Sequence, residues 1–248
     1  MPVGKHYTEK ELLHILHAGI FPPLFKEEIE FIYKTPKIRC LYHCPPGDVF
    51  FKTLYRFKFI LQLLEINTED IDTYIAYIEK KDSISSDDMN EFFEYYDLVE
   101  EFITEKLNLF SCEECIRLDE AIHNFEEGCY YSSVIMAVSA LESRLHFLFK
   151  QMDKKIYSQS FENKTLGQLI QILDPGMYKD PKFSKFKKIM GSKYRPLLEL
   201  CNTYRIFSAH PKNEKIDRNV ANSILNLTFL FLMDRDITKR RTLHKHKI

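Results

Sequence analysis

The chain has 248 residues, 45% of them hydrophobic and 29% charged, with a formal net charge of −1; this is the profile of a globular protein long enough for a buried core. No apolar run of about 18 residues and no basic, apolar, small-residue leader is present, so the expectation is a cytoplasmic protein with no membrane partner. Seven glycines against 20 Phe and 14 Tyr disfavour tight hairpins and favour aromatic packing between helices. The near-zero net charge conceals an asymmetry. Residues 1–64 hold 9 basic and 6 acidic side chains, residues 65–127 hold 4 and 20, and residues 128–248 hold 22 and 10, giving +3, −16 and +12.

Taken in order, the pattern predicts helices throughout and an all-α fold. Tyr7 to Ala18 reads as a short helix capped by Thr8, and Glu27 to Tyr33 as a second after the Pro22-Pro23 break. A Pro-Gly turn follows, then a strongly apolar helix from Val49 to Leu64. Thr68 to Lys80 and Asp87 to Leu109 are predicted as two helices whose acidic first turns suit the helix dipole, separated by a Ser/Asp-rich linker. Glu113 to Glu127 should turn Ile116, Ala121, Ile122 and Phe125 inward, with Gly128 closing it. Tyr130 to Met152 is predicted as a long helix, with Val134, Ala137, Val138, Leu141, Leu145 and Leu148 on one face. Glu142 interrupts that face and either pairs at its edge, with His146 one turn on, or serves a site. Short helices are expected over Thr165 to Leu173 and Pro181 to Met190, then a motif helix from about Tyr194 to Ala209 with Pro196 in its first turn. Asp217 should cap a last helix over Arg218 to Met233. The domain organisation expected is a helical N-terminal region over 1–110, a bundle over 111–236 and a basic tail over 237–248.

Two cysteine pairs, Cys40-x3-Cys44 and Cys112-x2-Cys115, have the spacing of paired thiolate ligands. Zinc held by these four competes with a plainer reading, small buried thiols in a reduced compartment. No cofactor is otherwise expected.

The chemistry-bearing stretch is Leu197 to Pro211, LLELCNTYRIFSAHP. Leu197, Leu200, Cys201, Tyr204 and Phe207/Ser208 recur at helical spacing, which places Arg205 and His210 at the end of a packed helix. Five residues on a straight helix separate two side chains by about 140°, so Arg205 and His210 would share a site only if Pro211 bends the last turn. A permanent guanidinium to grip phosphate and an imidazole that titrates near neutrality are suited to phosphodiester cleavage. Lys185, Lys187, Lys188 and Lys193 form a basic patch upstream that would favour phosphate contacts.

Arg205-x4-His210 followed by Pro211, together with the upstream run AIHNFEEGCYYSSVIMAVSALESRLHFLF, resembles the HEPN superfamily (higher eukaryotes and prokaryotes nucleotide-binding). The resemblance covers the second half of the chain. It implies a helical bundle that dimerises and brings two copies of Arg205 and His210 into one cleft. Many members cut RNA there without metal, often as toxins or antiviral effectors. It also implies a supporting role for Glu142, with Asn202 and Tyr204 as nearby helpers. Active members commonly have a polar residue directly after the arginine, where this chain has Ile206. Three expectations follow: a metal-independent endoribonuclease acting as a homodimer; a catalytically silent module binding RNA, a nucleotide or a partner protein; or a purely structural Arg205–Glu142 pair with His210 as a helix cap.

Overall fold

The computed structural model describes residues 46–81, 85–173, 184–210 and 215–234. They form an all-α protein with no strand among the described residues, divided into two compact units over 1–107 and 108–248. The helices predicted before residue 45, the pair Cys40 and Cys44, and the basic tail lie outside the described residues.

The N-terminal unit contains α1 (Pro46–Leu63), α2 (Glu69–Ile78) and α3 (Ser86–Leu107). Its core is aromatic. Phe57 meets the edge of Phe92 at 5.4 Å and lies 5.6 Å from Tyr96, while Tyr74 lies 6.1 Å from Phe92. The start of α3 is fixed by Asp88, whose carboxylate accepts from the Ser85 backbone N–H at 2.8 Å and pairs with Lys81. These bonds hold its carboxyl well below the usual range, at about 2, chiefly through Lys81 and then Ser85.

The C-terminal unit contains α4 (Cys112–Glu126), α5 (Tyr130–Met152), α6 (Lys154–Ser160), α7 (Leu166–Leu173), α8 (Ser184–Ala209) and α9 (Arg218–Met233). Its central element is α5, which packs against α4, α8 and α9. The apolar face predicted for α5 is buried over its whole length, from Val134 to Leu148. Gly128 adopts φ +74 between α4 and α5, a left-handed conformation that glycine reaches without a Cβ penalty, and so allows a tight connection. Ser111 and Glu114 form a capping box at the start of α4, and Asp217 caps α9 as its sequence position predicts.

Four expectations are corrected. Ile116 is 63% exposed, and Cys115 and Leu118 take the inward positions on α4 instead. The basic segment and the motif form one 26-residue helix, α8, with Pro196 in its interior. Pro196 is exposed, and its ring removes one hydrogen bond to the carbonyl four residues earlier. The buried stripe of α8 runs through Tyr194, Leu198, Cys201 and Ser208, leaving Leu200 45% exposed and Leu197, Tyr204 and Phe207 half-buried. Finally, His146 does not turn to Glu142; its ring bonds the Tyr157 hydroxyl at 3.1 Å and the Lys164 carbonyl at 3.0 Å.

Candidate functional site

The corrected register of α8 changes the meaning of Arg205. Steps of four, three, four and three residues lead from Tyr194 through Leu198, Cys201 and Arg205 to Ser208, so the arginine occupies a core-facing position. Its neighbours on that stripe are fully or nearly buried. Burial pushes the Cys201 thiol up to about 12, which leaves it protonated and unreactive.

Arg205 points toward α5, where its Nη1 lies 3.9 Å from Glu142 Oε2, with the two side chains 27% and 25% exposed. Its Nη2 donates to Asn202 Oδ1 at 3.1 Å. The Nε is buried without a hydrogen-bond partner, as is the Ser208 hydroxyl one turn on. Asn202 is seated against α7 at Gly167, where an added Cβ would come within 3.1 Å of its Nδ2. A glycine there lets the asparagine amide approach the helix backbone closely enough to hold Arg205.

His210 is placed differently. It is exposed, and its backbone N–H continues the helical pattern by donating to the Ile206 carbonyl at 2.9 Å. The last turn therefore remains helical up to His210, and Arg205 faces Glu142 while the imidazole is exposed and makes no hydrogen bond or ion pair with a described residue. Pro211 lies outside the described residues. Tyr204 sits beside the arginine, half-buried, with its ring edge-on to Phe207 at 6.1 Å. Ile206 is 45% exposed.

The lysines at 185, 187, 188 and 193 belong to the same helix as Arg205, while their side chains lie outside the described set. At 1.5 Å per residue, Lys193 and Arg205 are about 18 Å apart along the axis. No group of three or more candidate metal ligands occurs among the described residues; Cys115 is buried.

A charged residue buried among the described residues of the bundle is one that sequence reasoning missed. Arg144 on α5 is 1% exposed, and its Nε and Nη2 donate to the two carboxylate oxygens of Glu114 at 2.6 and 2.7 Å. It also bonds the Leu109 carbonyl at 2.8 Å and the Leu232 carbonyl at 3.2 Å. Two signals could have found it: Arg144 falls three residues after Leu141 on the apolar face of α5, and Ser111-x-x-Glu114 has the form of a capping box.

The site thus offers a restrained, half-exposed guanidinium beside a carboxylate and an amide, with an accessible imidazole at the end of the same helix. Comparison of the chain with protein-family models, curated proteins and solved structures returned no match.

Proposed function

We propose that the C-terminal unit is a HEPN-type module that cleaves RNA without a metal, acting as a homodimer. The observation that carries this reading is the incomplete satisfaction of Arg205. Among the described residues only Nη2 of its three nitrogens finds a hydrogen-bond partner, Nη1 stands at ion-pair distance from Glu142, and the side chain is still 27% exposed. A guanidinium held in place but left with free donors can grip a phosphate bidentately.

In this mechanism Arg205 holds the non-bridging oxygens of the scissile phosphate, and Glu142 and Asn202 fix its orientation. The ribose 2′-oxygen forms a bond to phosphorus as its proton leaves. The bond to the 5′-oxygen breaks, and that oxygen takes up a proton; with the last turn helical, His210 of the same chain points about 140° away from Arg205, so the His210 that serves one of these two transfers is the one on the second copy. The products are a cyclic phosphate and a 5′-hydroxyl, so DNA resists. The half-exposed residues Leu197, Leu200, Tyr204 and Phe207 recur at three, four and three residues along α8, a seam that a second copy could cover. Lys185, Lys187, Lys188 and Lys193 belong to the same helix, and their positive charge would favour RNA phosphates.

The exposed Ile206 favours a second reading, in which the module binds RNA or a nucleotide and leaves it intact. Here the position after the arginine offers no hydrogen bond to a reacting oxygen.

The deciding experiment is cleavage of an end-labelled structured RNA in EDTA by wild type, Arg205→Ala and His210→Ala, with circular dichroism of each. Each substitution should lower the cleavage rate about 100-fold or more while the helical signal is kept. An intact dimer that binds the RNA but leaves it uncut would establish the silent module instead.

A further inference from the structure

We infer that the outward face of α3 docks a basic amphipathic segment of another protein. At 100° per residue, Glu91, Glu94, Leu98, Glu101, Phe102 and Glu105 fall within an arc of about 100°. All six are exposed, Leu98 at 73% and Phe102 at 57%. The opposite side of the helix carries Phe92, Tyr96 and Ile103, each no more than 2% exposed, so α3 already buries a full apolar face. Leu98 and Phe102 therefore add nothing to that core. They sit one turn apart in the middle of a carboxylate stripe, where a merely solvated face would be polar.

The charge selects the occupant. A second copy would bring the same four carboxylates against these, and nucleic acid or an anionic lipid surface would be repelled in the same way. A partner with Leu or Phe flanked by Lys and Arg matches both features. Its apolar side chains cover Leu98 and Phe102, while its lysine and arginine stems lie along them and deliver their cationic ends to the glutamates.

From Glu91 to Glu105 the stripe is about 21 Å long, roughly four helical turns, which calls for an extended segment rather than a single ion. At its N-terminal end it meets a surface cavity of about 410 Å³, lined by Glu91 with Asp70, Thr73, Tyr74 and Tyr77. The Tyr77 ring there is 47% exposed and already accepts a cation, the Lys81 ammonium 4.3 Å from its centroid.

The test uses the full chain and a fluorescein-labelled Leu/Lys peptide of about 14 residues, long enough for the stripe as a helix. A scrambled peptide of the same composition serves as control, and binding is read by anisotropy at low and high salt. The amphipathic peptide should bind about tenfold tighter than the scrambled one, and Leu98→Ser with Phe102→Ser should remove that advantage. Glu94→Gln with Glu101→Gln should weaken binding and flatten its salt dependence. These exposed positions leave the helical signal unchanged. Equal affinity for the two peptides, or binding untouched by both double variants, would overturn the inference. So would a dimer in sedimentation that dissociates in the Leu98/Phe102 variant, which would name a second copy as the occupant. A rise in peptide affinity when Lys239, Arg240, Arg241, Lys245 and Lys247 are changed to Gln would name the chain's own basic tail and overturn a separate partner.

Discussion

Two arginine–glutamate pairs share helix α5 and could hardly be more different. Arg144 and Glu114 are each 1% exposed, and the guanidinium makes four hydrogen bonds, two to the carboxylate and two to backbone carbonyls at Leu109 and Leu232. Arg205 and Glu142 are about a quarter exposed and 3.9 Å apart, and the guanidinium makes one hydrogen bond, to Asn202. The first pair is saturated. It ties the segment before α4, the start of α4, the middle of α5 and the end of α9 into one unit. The second keeps donors in reserve, a poor way to stabilise a bundle and a good way to hold an anion. Burial alone would rank Arg144 as the more important arginine; counting unfilled donors assigns it to structure and leaves Arg205 as the arginine proposed to bind phosphate.

The largest expected effect comes from exchanging the two roles by mutation. Arg144→Ala leaves Glu114 buried and unpaired, and should destabilise the C-terminal unit by about 3–5 kcal/mol in chemical denaturation. Arg205→Ala should cost less than about 1 kcal/mol, because its ion pair is loose and partly solvated. A large stability loss in Arg205→Ala, or none in Arg144→Ala, would reverse the assignment.

A milder perturbation reaches Arg205 through its support. Gly167→Ala puts a methyl group 3.1 Å from Asn202 Nδ2, so the amide must shift by a few tenths of an ångström. Unfolding free energy should change by no more than about 1 kcal/mol, since the helix gains an alanine while it loses close packing. RNA affinity should fall several-fold with it. Unchanged affinity would show that Asn202 does not position Arg205.

A third ion pair, in the N-terminal unit, gives the smallest and most specific effect. Asp88 is 3% exposed, is paired with Lys81 and Ser85, and has its carboxyl lowered to about 2 from 3.8. A carboxyl depressed in the folded state stabilises above its unfolded value. That contribution is lost as the pH falls from about 4 through about 2. Asp88→Asn should cost about 1 kcal/mol at neutral pH as a lost helix-start cap, and should flatten stability between pH 4 and 2. Acid titration of unfolding in wild type and variant measures both.

Much of the helical layout was legible because its signals are local. The ends of α5 fall at Tyr130 and Met152 as expected, since an apolar periodicity from Val134 to Leu148 lies between Gly128 and Asp153. Asp217 caps α9 because a side-chain oxygen next to three unpaired amides has few alternatives. The register of α8 was legible only in part: Cys201 and Ser208 are buried as expected, while the rest of the expected face is not. Leu197, Leu200, Tyr204 and Phe207 form one apolar stripe, and Tyr194, Leu198, Cys201 and Ser208 form another beside it. Periodicity supports both. The stripe that is buried contains an arginine, which counts against it on any hydrophobic scale. Pro196 was likewise assigned to a first turn because its local cost is high; only the length of packed helix on both sides carries α8 through it.

By itself, then, the sequence determined the all-α class, most helix boundaries and the cap of α9, because each depends on residues within about one turn of one another. It also placed Arg205 near the end of one helix and His210 where that helix stops. The tertiary structure alone decided which stripe of α8 faces the bundle, that Arg205 reaches Glu142 while His210 stays in solvent, and that Arg144 is the saturated arginine. These outcomes depend on partners 30 to 88 residues apart in the chain, as for the bonds from Arg144 to Glu114 and Leu232. Packing chooses between stripes by the summed fit of whole helices, and no single residue's character fixes that sum.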